Sequence, residues 1–147
     1  MLAVSSTEAL YYLAAATTPG SPLPLHTLSE NVSAIRTILD KVLSIDIPSD
    51  PLSPLIHIHV KQSSSSSSSS SVVLTRQEQT RLLQDVTDEA LNNGVLITRM
   101  QRVWHQEAVE HRPSIKICVS AGLTKKECEK AATIVKNALV KVLGKKR

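Results

Sequence analysis

Period-two stretches alternate with period-3.6 stretches along this chain, and their order predicts the fold. In PSIKICVS, Ile115, Ile117 and Val119 alternate with Lys116, Cys118 and Ser120, as expected of a strand with one apolar side. Gly122 breaks it. Thr124 then stands three residues before Glu127, a capping box for a helix running to Leu143. Cys128, Ala131, Ala132, Val135, Ala138, Leu139 and Val142 fall on one stripe of that helix, and Gly144 ends it.

The same pattern recurs upstream. Val32, Ile35, Ile38, Leu39, Val42 and Leu43 predict a helix from about Leu28 to Ser44, with Arg36 and Asp40 placed to pair on its outer face. Pro48, Pro51 and Pro54 then hold an extended connection. In LIHIHVK, Ile56, Ile58 and Val60 alternate with His57, His59 and Lys61, which predicts a half-buried strand. Thr75 and Glu78 open a further capped helix carrying Leu82, Leu83, Val86, Ala90 and Leu91, closed by Asn92, Asn93 and Gly94. VLITRM reads as another strand, and a polar connection through Trp104, His105 and His111 leads to Ile115.

At the front, Leu2 to Ala16 is helix-compatible, and Pro19, Gly20, Pro22 and Pro24 are expected to end that helix. Glu8 and the lack of a basic start argue against a signal peptide. The helix has little partner surface of its own and is expected to pack on something outside this chain. Nine consecutive serines, Ser63 to Ser71, cannot repay their ordering entropy and read as an insert at 62–71 in a surface loop. The expected fold class is α+β: a small, mostly antiparallel three-stranded sheet with helices packed on one face, plus a loosely attached N-terminal helix. Residues 1–24 form the N-terminal helix and Pro-rich linker, and 25–147 the small domain.

Composition narrows the picture. The 147 residues are 41% hydrophobic but lack Phe, so the core is built from Leu, Ile, Val and Ala. From Thr124 onward eight Lys or Arg face two Glu, and the whole chain carries +4. That excess leaves open a stand-alone binding module using its basic C-terminal helix on an anionic surface. No aromatic residues interleave with the lysines, which argues against single-stranded nucleic acid. Cys118 and Cys128, ten residues apart, fit neither a CxxC site nor a disulfide framework, and both are expected reduced and buried.

Three phrases in this order resemble the C-terminal small domain of the α-oxoamine synthases: LSPLIHIHV, TRLLQDVTDEALNNGVLIT and PSIKICVSAGLTKKECEKA. The most telling piece is KICVSAGLT, a basic residue followed by Ser-Ala and then Thr at fixed spacing. The resemblance implies a pyridoxal-phosphate enzyme of the aminotransferase-like fold and, within it, a non-catalytic subunit. It implies a heterodimer in which the catalytic second subunit supplies the pyridoxal phosphate, with none bound by this chain. It also implies attachment to the cytosolic face of the endoplasmic reticulum through segments outside these residues, and no nucleic-acid partner. Met1 then reads as an internal methionine of a longer chain.

Departures from the family pattern carry the non-catalytic reading. No lysine lies in the Ser/Thr-rich, Gly-flanked setting of the family's Schiff-base lysine. Catalytic members hold the amino-acid carboxylate with an Arg on the last strand. Lys116 occupies the matching position, and Leu123 stands where relatives often carry His. No catalytic, cofactor-binding or metal-binding residue is expected, and Lys116 is the one substrate-carboxylate position carried over. His57 and His59, two apart on a strand, can serve a metal with His105 or His111 as third ligand. The plainer reading is a polar strand face at a subunit or domain contact. Ser120 and Thr124 lack a neighbour in sequence to activate them as nucleophiles.

Overall fold

The computed structural model describes residues 24–61, 74–100 and 111–144. The predicted Leu2–Ala16 helix, the serine run, the connection through Trp104 and His105, and the basic tail after Gly144 lie outside them. The described elements are α1 (Pro24–Leu39), β1 (Ile45–Asp46), β2 (Leu55–Val60), α2 (Arg76–Asn92), β3 (Thr98–Arg99), β4 (Ile115–Cys118) and α3 (Lys125–Gly144). The class is α+β, as the patterning predicts.

The sheet is antiparallel throughout, in the order β1-β2-β4-β3. It has four strands rather than three. The addition is β1, in which Ile45 pairs with Val60 and Asp46 with His59. On the helix side, Ile45, Ile56, Ile58, Val60 and Ile115 are buried. They join Val32, Ile35 and Leu39 of α1, Leu83, Val86 and Ala90 of α2, and Cys128, Ala132, Val135, Ala138 and Leu139 of α3 in one core. The interior is aliphatic because the sequence offers little else.

Both predicted capping boxes are present. Thr75 N–H donates to Glu78 Oε2 at 2.8 Å, and Glu78 N–H donates back to Thr75 Oγ1 at 3.3 Å. The Thr124–Glu127 pair repeats this at 2.8 and 3.4 Å. The end of α2 is a Schellman turn: Gly94 N–H bonds Leu91 O and Val95 N–H bonds Ala90 O, with Gly94 at φ +84°.

Several expectations are corrected. Helix α1 begins at Pro24 rather than at about Leu28; with its φ preset and no N–H to satisfy, proline suits a first helical turn. It stops at Leu39 instead of reaching Ser44. Continued to Leu43, the helix would carry that side chain to the core face, whereas Leu43 is 85% exposed and Val42 alone turns inward. The chain turns there so that Ile45 can reach Val60. Arg36 does not turn to Asp40; its guanidinium donates to Ser49 Oγ at 3.3 Å and Ser49 O at 3.2 Å. Only Thr98–Arg99 of VLITRM pairs as strand. Leu91 is 53% exposed, and the buried Gln79 takes a place on the inner face of α2. Cys128 is buried as expected, but Cys118 is exposed.

Candidate functional site

Alternation along β2 and β4 leaves a second sheet face that no described helix covers. His57 lies beside Lys116 and Leu55 beside Cys118, while Thr98 flanks Lys116 from the other side. His59 faces Asp46 across β1. This face is polar where the opposite one is aliphatic, and its histidines are half-buried. Lys116 stands exposed at its centre, held in register by strands on both sides and by Thr98 Oγ1, which donates to Lys116 O at 3.4 Å.

The two histidines are anchored differently. His59 Nδ1 lies 3.0 Å from Pro113 O. A carbonyl can only accept, so Nδ1 carries the proton and Nε2 keeps the lone pair. Burial holds the His59 pKa below its ordinary value; Arg112 and His57 add to that, while the Pro113 contact and Asp46 oppose it. His57 Nδ1 is 3.5 Å from Ser114 Oγ, and Ser114 is buried. Arg112 donates to Val60 O at 3.2 Å, and Arg76 of α2 to His111 O, so the approach to β4 is tied down on both sides.

Among the described residues no three His, Cys, Asp or Glu side chains gather to hold a metal ion. His111 is engaged through its carbonyl, and His105 lies outside the described residues. Ser120 Oγ accepts from Gly122 N–H at 3.1 Å and Thr124 Oγ1 caps α3, so both hydroxyls have local tasks.

The turn between β4 and α3 is held by a residue that the hydrophobic pattern did not single out. Asn31 of α1 is 1% exposed. Its Nδ2 donates to Ser120 O at 3.0 Å and to Leu123 O at 2.8 Å. An Asn among Val32 and Ile35 at the inner face of a helix is itself the available signal: a buried amide needs partners, and a turn has free carbonyls.

The fold is one found as a domain within larger solved enzymes. Among solved structures it resembles a glutamate decarboxylase of Lactobacillus brevis, with a TM-score of 0.60, 14% identity and coverage of 92% of this chain and 27% of that one. It also resembles the Oryza sativa TDC solved with PLP and tryptamine, with a TM-score of 0.53, 11% identity and coverage of 78% and 23%.

In sequence the chain is a relative of serine palmitoyltransferase 1, being 31% identical to that of Dictyostelium discoideum over 146 residues, which is 97% of this chain and 28% of the relative. Against serine palmitoyltransferase 1 of Saccharomyces cerevisiae it is 38% identical over 65 residues, 44% of this chain and 12% of that protein. No protein-family model matches. The chain thus spans little more than a quarter of the Dictyostelium relative.

Proposed function

We propose that this chain acts as the C-terminal small domain of the non-catalytic first subunit of serine palmitoyltransferase. The observation that carries the reading is 31% identity to serine palmitoyltransferase 1 across 97% of the chain. The parent enzyme joins serine to the acyl group of palmitoyl-CoA with loss of carbon dioxide, opening sphingolipid biosynthesis. In this reading a catalytic second subunit forms a heterodimer with the first and supplies the pyridoxal-phosphate lysine. The assembly sits on the cytosolic face of the endoplasmic reticulum. No described helix is long and apolar enough to cross a membrane, so attachment is assigned to segments outside these residues.

None of the described lysines is buried, which is a poor fit to an imine-forming lysine of pyridoxal phosphate. A lysine that forms an imine is activated by burial or a neighbouring cation, and Lys116 is an exposed strand residue between His57 and Thr98. We therefore assign this chain a supporting role: β4 and its following turn form part of a wall, and Lys116 marks where the family holds a carboxylate. As a single ammonium it can attract an anion but lacks the two-pronged geometry of Arg. The helix-free sheet face, polar and half-buried at His57 and His59, is the surface assigned to contact with the rest of the enzyme.

Expressed as part of the full first subunit, these residues should be required for co-purification with the catalytic subunit. The chain mixed with pyridoxal phosphate should show no saturable imine absorbance. Retention of the catalytic subunit by a first subunit lacking residues 25–147, or a saturable imine at one lysine, would refute the assignment. The anionic-surface alternative gains little from the structure. Lys141 Nζ lies 2.7 Å from Glu89 Oε1, and Glu127 and Glu129 interrupt the lysines of α3.

A further inference from the structure

We infer that Asn31 is the positioning residue of this site, holding the β4–α3 turn and thereby the end of the strand that carries Lys116. The inference rests on the proposed placement of the site at β4, but its test does not depend on the partner subunit. Three observations support it. First, Asn31 is 1% exposed and sends both amide protons to one turn, to Ser120 O and Leu123 O, across sequence separations of 89 and 92 residues. Second, its own Oδ1 is buried without a hydrogen-bond partner. A residue kept only for packing is better served by Leu, which buries no unpaired acceptor; Asn is needed there for its two donors. Third, the turn has little else to fix it. Ser120 Oγ accepts from Gly122 N–H within the turn, Val119 N–H donates to Pro54 O just before it, and Ser120, Gly122 and Leu123 are exposed.

The geometry makes the turn an extension of α1 rather than a free connection. Shifting α1 along its axis moves both carbonyl anchors together, and β4 and α3 meet at those anchors. Lys116 precedes Ser120 by four residues and is itself held by pairing to β2 and β3. Asn31 therefore acts on the turn and through it on the C-terminal end of β4. It contacts no reacting group itself.

Two variants of the 147-residue chain test this by site-resolved amide hydrogen exchange. Asn31→Leu removes both donors and keeps the branched heavy-atom skeleton, though its methyl groups are bulkier than the amide. Asn31→Asp keeps the shape but offers no donor when ionised and one when protonated. In both variants at neutral pH, the hydrogen-bonded amides that flank the anchors, those of Val119, Gly122 and Thr124, should exchange at least tenfold faster relative to the native chain. Val95 N–H at the far end of α2 and Lys61 N–H beside β1 should change much less. In Asn31→Asp alone, turn protection should return in part as pH falls through the titration of the new carboxyl. That pH dependence separates positioning from packing, because a packing defect has no titrating donor. Unchanged turn amides in either variant, acceleration spread evenly over the core, or the absence of pH recovery in Asn31→Asp would overturn the inference. Each of these outcomes leaves the co-purification result untouched.

Discussion

Single residues decide which face of each element carries chemistry. Cys118 and Cys128 differ sharply despite the same side chain. Cys118 projects onto the open sheet face, whereas Cys128 lies on the buried face of α3, where burial pushes its thiol pKa up and Glu127 and Glu129 push it further. An aromatic disulfide reagent should titrate one thiol in the native chain and two after unfolding. Equal fast reaction of both would contradict the placement of Cys128. His59 gives a second expectation. Its folded pKa is depressed, so between that value and the ordinary 6.5 the unfolded chain binds more protons than the folded one. Stability from neutral His59 is complete above 6.5 and declines as pH falls through that window. Denaturant midpoints measured from pH 7.5 to 5 should show a downward slope that is smaller in His59→Gln.

At the scale of elements, caps and turns explain where each helix begins and ends. Thr75→Ala removes one half of a reciprocal cap and should lower stability by about 1 kcal/mol in equilibrium unfolding. Gly94→Ala places a Cβ in open space but at φ +84°, so any loss comes from backbone conformation alone, roughly 1 kcal/mol. A loss near zero would mean the Schellman turn relaxes. These features were readable directly, since capping boxes and a closing Asn-Asn-Gly are local chemistry. The end of α1 was not readable, because Val42 and Leu43 continue the helical period past Leu39. What stops the helix is the pairing of Ile45 with Val60, a contact between distant residues. β1 was missed for a related reason: Ile45-Asp46-Ile47 shows the alternation of a strand, but two paired residues give a faint signal.

For the whole molecule, the decisive feature is a single core shared by the three described helices and one sheet face. Leu83 is fully buried in it, and Leu83→Ala should cost about 2–5 kcal/mol. The loss should appear as an earlier but still single unfolding transition by far-UV dichroism and by calorimetry. Two separated transitions would mean that α2 belongs to a different unit. The sheet is asymmetric, aliphatic where it joins the core and polar on the face bearing His57, His59 and Lys116.

The sequence by itself determined the element types, the aliphatic core, both capping boxes and the polar face bearing His57, His59 and Lys116. All of these follow from spacing of 2 or 3.6 residues, or from contacts within four positions. Tertiary structure alone decided the fourth strand, the early end of α1, the exposure of Cys118 and the bonds from Asn31 to a turn some 90 residues away. Those depend on which distant backbone groups are left without partners once the core has formed, and local periodicity carries no record of that.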